Sequence, residues 1–243
     1  MQQISSPQKQ LRQRLILGGQ PCNTGIYTMS WPFDIDGCLQ HLIASDPALG
    51  RLVRRIGPVT LTPRTDEPPL DALVRNIVYQ QLSGKAASTI HARLLALTGH
   101  PLQPQRILDT HPDALRSAGL SRAKTTAIID LAVHAAEGHI PDAADMSAMD
   151  NASIEACLTR VKGIGPWTVQ MYLMFCLGRP DVFPASDLGI RKGMARLYGL
   201  DELPSPADAT DASIPWKPYR TIASWYLWRS LDITADALPA AGT

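Results

Sequence analysis

The chain has 243 residues, of which 45% are hydrophobic, and its 23 basic and 22 acidic side chains leave a formal net charge of +1. The length is enough for one large domain or two small ones around a buried core, and no apolar run approaches the roughly 20 residues that a membrane-spanning helix requires, so we expect no contact with a membrane. The four cysteines are widely spaced and form no CxxC pair, which argues against a zinc site and a disulfide framework and favours a reduced intracellular compartment.

The start of the chain differs in composition from the rest. Residues 1–28 are rich in Gln, Ser and Gly, and their apolar side chains follow no sustained period. We predict that they form a flexible leader, and that one folded domain with two helical subdomains occupies 29–243.

The remainder of the chain is predicted to be helical, because apolar side chains recur three and four residues apart and no long alternating run indicates a strand. In chain order, helices are predicted over 34–56 with a break at Asp46-Pro47, around 70–77, around 90–97, over 112–118, over 122–137, around 154–161, and over 166–177, 187–198 and 218–231. Ser121 and Ser186 are predicted to cap the helices that follow them, since a serine side chain accepts from the first amides of a helix. We predict an all-α fold made of two helical lobes.

A tight turn at Gly163-Ile164-Gly165 joins two of these helices, and Pro166 suits the first position of the second one. Glycines at such a turn permit positive φ angles and the close approach of another backbone. The amides at the start of the second helix then face outward, where they and the helix dipole form a site for an anion such as a DNA phosphate. An ordinary connection between two helices is the alternative interpretation of the same turn.

The charge pattern around this turn supports the phosphate interpretation. Residues 160–196 contain six basic and two acidic side chains, although the whole chain is almost neutral. A basic block is usually a solvated surface, but here it coincides with the turn. We therefore interpret 160–196 as a candidate nucleic-acid-binding segment.

Asp187 is the candidate catalytic carboxylate. It lies twenty residues after Trp167 and directly follows the predicted cap Ser186. A helix N-terminus stabilises negative charge, so Asp187 either serves only as a helix cap or holds its charge beside a sugar that becomes positive. Cleavage of a glycosidic bond passes through such an oxocarbenium-like state, which a nearby anion stabilises.

Four segments carry a resemblance to a known family. VKGIGPWT (161–168) resembles the helix-hairpin-helix of the base-excision DNA glycosylases, and DVFPASD (181–187) resembles the Gly/Pro-rich loop that ends in their catalytic Asp. Together with IVYQQLSGKAASTI (77–90) and WKPYRTIASWYLWR (216–229), these segments resemble the 3-methyladenine DNA glycosylase II family over residues 35–231. The resemblance implies the compact, all-helical form, without an N-terminal β-domain and with an active-site cleft between the lobes.

The resemblance implies a role for each matched side chain. Asp187 matches the catalytic carboxylate, and Trp228 matches the ring that stacks on the flipped base. Trp167 and Met171 match other base-pocket positions, and Tyr79 either lines the pocket as well or packs in the core. Contacts with DNA are expected from Gln81, which fills the gap left by the flipped base, and from Lys162, Gly163, Gly165, Thr168, Arg191 and Lys192.

Two departures from the family leave the range of bases open. The family's best-known member has Tyr at the positions of Met171 and Arg229, so the pocket walls differ. Core packing is the alternative interpretation for Trp225 and Trp228, which are three residues apart on one predicted helix.

The function implied is a monofunctional DNA glycosylase, a hydrolase of DNA repair. It would flip alkylated purines of the 3-methyladenine and 7-methylguanine type out of double-stranded DNA, cut the N-glycosidic bond and leave an abasic site. Strand-nicking relatives have a nucleophilic Lys at the position of Trp167, and the cysteines lack the four-Cys cluster of other relatives. We expect no metal and no cofactor, and a monomer located in the cytoplasm with the nucleoid in a bacterium or in the nucleus in a eukaryote.

Three alternatives stay open at the level of sequence. A non-catalytic helix-hairpin-helix module would keep the glycine turn but would need neither Asp187 nor the Trp residues. A glycosylase for neutral lesions such as hypoxanthine would use the same machinery with different pocket walls. An all-helical interaction protein leaves the motif over 158–192 unexplained.

Overall fold

The computed structural model describes residues 31–233, so the predicted leader over 1–28 lies outside the described residues. Within that range there are thirteen α-helices, one 3-10 helix and no β-strand, which confirms the all-α prediction. The helices are α1 (Ile35–Ser45), α2 (Pro47–Ile56), α3 (Pro69–Tyr79), α4 (Gly84–Thr98), α5 (Pro104–Asp109), α6 (Pro112–Ser117), α7 (Arg122–Ala136), α8 (Ala143–Ala148), α9 (Asn151–Leu158), α10 (Pro166–Phe175), α11 (Leu188–Tyr198), α12 (Pro206–Ala212) and α13 (Arg220–Ser230), with the 3-10 helix at Ile214–Trp216. None of the helices in this range is long and apolar enough to cross a membrane.

Local capping explains several of the helix boundaries. Ser121 caps α7 as predicted, with its Oγ accepting from the amide of Lys124 at 3.3 Å. Asp46 breaks the first predicted helix in two, because its side chain caps α2 by accepting from the amides of Ala48 and Leu49. Pro166 is the first residue of α10, where the missing amide hydrogen is not needed.

Two predicted boundaries were wrong. Ser186 does not cap α11, because the cap is Asp187 itself, whose carboxylate accepts from the amides of Gly189 and Ile190. The last helix begins at Arg220 rather than at Pro218. Both errors come from the local sequence, which offers two adjacent capping residues at 186–187 and a proline two residues before the true start of α13.

The two predicted lobes are present as two compact units. The first unit consists of Arg64–Leu177, in which α7 packs against α3, α5 and α6, while α10 packs against α3 and α9. Its core is aliphatic and aromatic, and its largest fully buried side chains include Leu73, Ile77, Leu94, Ile107, Tyr172 and Phe175.

The second unit combines the described residues up to Pro63 with those from Gly178 onward. Within it α13 packs against α2 and α11, and the indoles of Trp216 and Trp225 are fully buried. The buried carboxylate of Asp46 ties three elements together, because its Oδ2 also accepts from Trp216 Nε1 at 2.9 Å and from the hydroxyl of Tyr198. This unit carries the candidate catalytic residue.

Candidate active site

The loop before Asp187 is anchored on the start of α13. Thr221 Oγ1 accepts from the amide of Val182 at 3.1 Å and donates to the carbonyl of Arg179 at 2.6 Å. The Arg220 guanidinium pairs with Asp181, with Nη2 2.9 Å from Oδ2. These contacts hold in place a loop without regular structure, and so they determine the position of Asp187 at the start of α11.

Three N–H donors converge on one oxygen of the Asp187 carboxylate. Oδ1 accepts from the amides of Gly189 at 2.8 Å and Ile190 at 3.0 Å, and from the indole Nε1 of Trp228 at 3.0 Å. Only 6% of Asp187 is exposed. Donors of this kind and the N-terminal end of the α11 dipole stabilise negative charge, and they also hold the carboxylate in one orientation.

A close helix–helix contact brings Trp228 to this carboxylate. A Cβ built on Gly193 of α11 would lie 2.7 Å from the carbonyl oxygen of Leu227 on α13, so only glycine permits the two helices to approach this closely. Trp228 follows Leu227, and its ring is 4% exposed. Asp187 and Trp228 are therefore the two predicted site residues that the second unit brings into direct contact.

We expect Trp228→Phe to lower base excision about tenfold or more, because it keeps an aromatic ring but removes a hydrogen bond to a charged group worth roughly 1.5–3 kcal/mol. Trp225→Phe is the matched control, since Trp225 lies on the same helix and its buried Nε1 has no hydrogen-bond partner among residues 31–233. Excision rates at saturating DNA and thermal unfolding of both variants are measured together. Equal rates for the two variants would contradict the role of the indole N–H.

The hairpin contains two glycines with different roles. Gly163 has φ +81°, and a Cβ built on it would lie 2.8 Å from Cβ of Ala127, so both its backbone and its surroundings require glycine. Gly165 has φ −104°, and apart from its two chain neighbours no described residue has an atom within 4 Å of a Cβ built on it. Of the two reasons for glycine in this turn, a positive φ therefore applies at Gly163 and not at Gly165, where space for an approaching ligand is the remaining reason.

The start of α10 carries the features of an anion site. Among the described residues no side chain caps this helix, whose N-cap is Gly165. The first amides of a helix have no intrahelical acceptor, and the helix dipole adds positive potential there. Lys162 is exposed beside this turn, but its Nζ lies 3.1 Å from Asp130, and its amide donates to the same carboxylate at 2.8 Å. The hydrogen bond from the Lys162 backbone amide is the main cause that lowers the pKa of Asp130.

Gln81 lies in an exposed turn directly after α3 and has φ +57°, the one positive φ among the non-glycine residues described. Its neighbour Gln80, which the sequence did not single out, donates from Nε2 to the carbonyl of Gly163 at 3.2 Å and to Oγ1 of Thr168 at 3.1 Å. Thr168 is buried, so its hydroxyl serves this contact. Lys124, also missed, donates to carbonyls of the same turn.

The remaining predicted residues differ in exposure. In the first unit Met171 is buried, Trp167 is half-buried, and Tyr79 is half-buried with the Arg75 guanidinium 5.2 Å from its ring centroid. In the second unit Lys192 is exposed, while Arg191 donates from Nε to the carbonyl of Pro204. Residues 31–233 contain no cluster of three His, Cys, Asp or Glu side chains that could hold a metal ion.

The chain is similar to several known proteins. Residues 74–218 match the HhH-GPD superfamily base excision DNA repair protein family. The chain is 34% identical over 202 residues to DNA-3-methyladenine glycosylase 1 of Schizosaccharomyces pombe, covering 82% of this chain and 89% of that protein. It is 32% identical over 204 residues to the alkylbase DNA glycosidase-like protein mag2 of the same organism, covering 83% and 96%. The structure of the Schizosaccharomyces pombe 3-methyladenine DNA glycosylase in complex with abasic DNA superposes with a TM-score of 0.75 at 32% identity, over 82% of this chain and 98% of that one.

Proposed function

The chain belongs to the HhH-GPD superfamily of base excision DNA repair proteins, and from that premise we propose that it is a DNA-3-methyladenine glycosylase. It hydrolyses the N-glycosidic bond of alkylated purines in double-stranded DNA and releases the free base. The observation that carries this proposal is the Asp187 carboxylate, which two helix amides and the Trp228 indole hold in one orientation.

The chemistry follows from the charge of the substrate. A purine alkylated at N3 or N7 is cationic, so its glycosidic bond breaks with the bonding electron pair leaving on a neutral base, and little acid catalysis is required. The sugar becomes oxocarbenium-like, and the negative charge of Asp187 stabilises it. Water then adds to the anomeric carbon and loses a proton to Asp187, which leaves an abasic site.

Trp228 supports selection of a cationic base. An indole face attracts a cation by about 0.5–1 kcal/mol when exposed and by about 2 kcal/mol or more when desolvated, so stacking on Trp228 favours the alkylated base over a neutral one. We assign Trp167 as a further base contact on the strength of the family match, with Met171 and Tyr79 as candidate walls of the same pocket. Because these pocket walls differ from those of the family's best-known member, excision of neutral lesions such as hypoxanthine is a second activity to be measured.

The DNA is held by backbone more than by side-chain charge. The first amides of α10, behind Gly163 and Gly165, bind a phosphate, and Lys162 and Lys192 add exposed positive charge. Gln81 fills the gap left by the flipped base, where its amide can pair with the orphaned partner base. We assign 29–243 as the glycosylase domain, acting as a monomer in the compartment that holds the genome.

The product analysis that tests this function uses randomly methylated duplex DNA. We expect release of free 3-methyladenine and 7-methylguanine, alkali-labile sites in strands that are otherwise intact, and no covalent adduct after borohydride treatment, because Trp167 stands where a Schiff-base lysine is required. DNA binding without release of any base would indicate a non-catalytic binding module. Release of hypoxanthine without methylated bases would indicate a different lesion class, and an adduct at Lys162 would contradict the assignment of a monofunctional enzyme.

A further inference from the structure

Helix α7 contacts the turn that carries Gln81. The Nζ of Lys124, in the first turn of α7, donates to the carbonyl oxygens of Val78 and Gln80, each at 2.7 Å. These two carbonyls belong to the last turn of α3 and to the residue before Gln81, where a helix end leaves acceptors without intrahelical donors. Lys124 therefore closes the end of α3 and determines where the chain leaves it.

The same helix contacts the hairpin on its next two turns. Ala127 packs so closely on Gly163 that a Cβ built on Gly163 would lie 2.8 Å from the Cβ of Ala127. Asp130 accepts from the amide of Lys162 at 2.8 Å. The three positions on α7 are three residues apart, so they lie on successive turns and join the Gln81 turn to the hairpin.

Gln80 completes the connection from the side of the turn. Its backbone carbonyl receives the Lys124 amine, and its side-chain amide donates to the carbonyl of Gly163 and to Thr168 Oγ1. The residue before Gln81 is thus bonded to α7 by its backbone and to the hairpin by its side chain. Gln81 itself has φ +57°, a conformation that a residue with a Cβ adopts only where its surroundings hold it.

We propose that Lys124 is a positioning residue that holds the Gln81 turn in register with the hairpin glycines, so that Gln81 enters the DNA helix at the nucleotide whose phosphates the hairpin binds. The inference rests on the proposed function, because it takes Gln81 as the residue that fills the gap and the hairpin as the phosphate site. Loss of Lys124 leaves two carbonyls without their donor and releases the turn, while Gly163, Gly165 and the start of α10 keep their own geometry.

Lys124 acts through hydrogen bonds that both protonation states of its amine can donate. Burial lowers the pKa of its amine to about 8, since the cation has lost part of its solvation. A neutral amine still carries two N–H donors, one for each carbonyl. Lys124→Met keeps the length of the side chain and removes the donors together with the charge, whereas Lys124→Arg restores both, so the two variants separate loss of the polar head group from loss of the aliphatic stem.

The experiment follows insertion of Gln81 directly. A duplex carries a tetrahydrofuran abasic analogue with 2-aminopurine as the neighbouring base, and the signal is the fluorescence change on saturation with wild-type protein that Gln81→Ala abolishes. We expect Lys124→Met to lose most of this signal and to excise methylated bases at a rate lower by roughly tenfold or more at limiting DNA, the order of change expected when two hydrogen bonds are lost. Its affinity for the abasic duplex should stay close to that of the wild-type protein, and Lys124→Arg should recover the signal in part. Arg122→Met, an exposed position on the same helix, is the matched control and should behave as wild type.

Thermal unfolding identifies a variant that fails to fold, and Gln80→Met then tests the same connection from its other end with the same expected loss. A folded Lys124→Met or Gln80→Met with the full wild-type signal overturns the proposal, as does an undiminished signal in Gln81→Ala. Loss of signal in Lys124→Met supports it even if the wild-type protein releases no methylated base, because the signal depends on insertion and not on catalysis. Failure of the proposed function appears separately, in the base-release assay.

Discussion

Asp187→Asn should fold and bind abasic-site DNA but excise methylated bases at least about 100-fold more slowly than the wild-type protein. The amide keeps the size of the carboxylate and loses its negative charge, which is the group proposed to stabilise the sugar cation. Removal of one well-placed electrostatic stabiliser costs about 100- to 1,000-fold in rate. The measurement is single-turnover release of base from methylated duplex DNA, with binding to an abasic duplex measured alongside.

The fold should tolerate this change because Asn is as good an N-cap as Asp. The side-chain oxygen of Asn can still accept from the amides of Gly189 and Ile190 and from the indole of Trp228, as Oδ1 does now. Ser186→Ala is the control in the adjacent position, and it should leave both stability and excision unchanged because Asp187 provides the cap. A folded Asp187→Asn that excises at a near wild-type rate would exclude Asp187 as the catalytic group.

Gly165→Ala should fold as the wild-type protein does and lose at least about tenfold in affinity for abasic DNA. Its φ of −104° suits any residue, and apart from its chain neighbours no described residue lies within 4 Å of the added Cβ, so the methyl group fits within the described part of the protein. In the complex the same methyl group would stand where a phosphate approaches the first amides of α10. By keeping the phosphate away from these amides, the methyl group weakens the contact that we propose to dominate DNA binding.

Gly163→Ala is the matched comparison, two residues earlier in the same turn. It should destabilise the fold by about 1–2 kcal/mol or more, because φ is +81° and the new Cβ would lie 2.8 Å from Cβ of Ala127. Thermal unfolding and DNA binding are compared for both variants. The interpretation of the hairpin would fail if Gly165→Ala bound abasic DNA as tightly as the wild-type protein.

A salt titration of the same complexes measures how the phosphates are bound. Each phosphate neutralised by a cationic side chain contributes a slope of about 0.9 in log K against log salt, and binding by backbone amides should give a total of only about 2–4. Two arginines near the hairpin in sequence are already engaged within the second unit, since Arg191 donates to the carbonyl of Pro204 and Arg196 to that of Ser230. A steep slope would therefore require the exposed cations of this segment, of which Arg160 and Lys162 lie nearest the hairpin in the sequence and Lys192 lies beyond Asp187.

Much of the site could be predicted from local sequence. The glycine turn, Pro166 at the start of α10 and the Ser121 cap each depend on residues within about three positions of one another, which is the range of capping and turn chemistry. Asp187 was found from its spacing and from the family resemblance. The same local rules chose Ser186 as the cap, because they cannot rank two adjacent capping residues.

The contacts between residues far apart in the chain could not be predicted in this way. The hydrogen bond from Trp228 to Asp187 joins residues 41 positions apart, and that from Lys124 to Gln80 joins residues 44 positions apart. Helical periodicity predicts that a side chain is buried but not which partner it meets, since that depends on how closely two helices pack. The contact of Gly193 with Leu227 is an example, because one missing Cβ permits α11 and α13 to approach until Trp228 reaches the carboxylate. The helices, the hairpin and the catalytic candidate could thus be predicted from local sequence, whereas the orientation of Asp187 and of the Gln81 turn depends on packing.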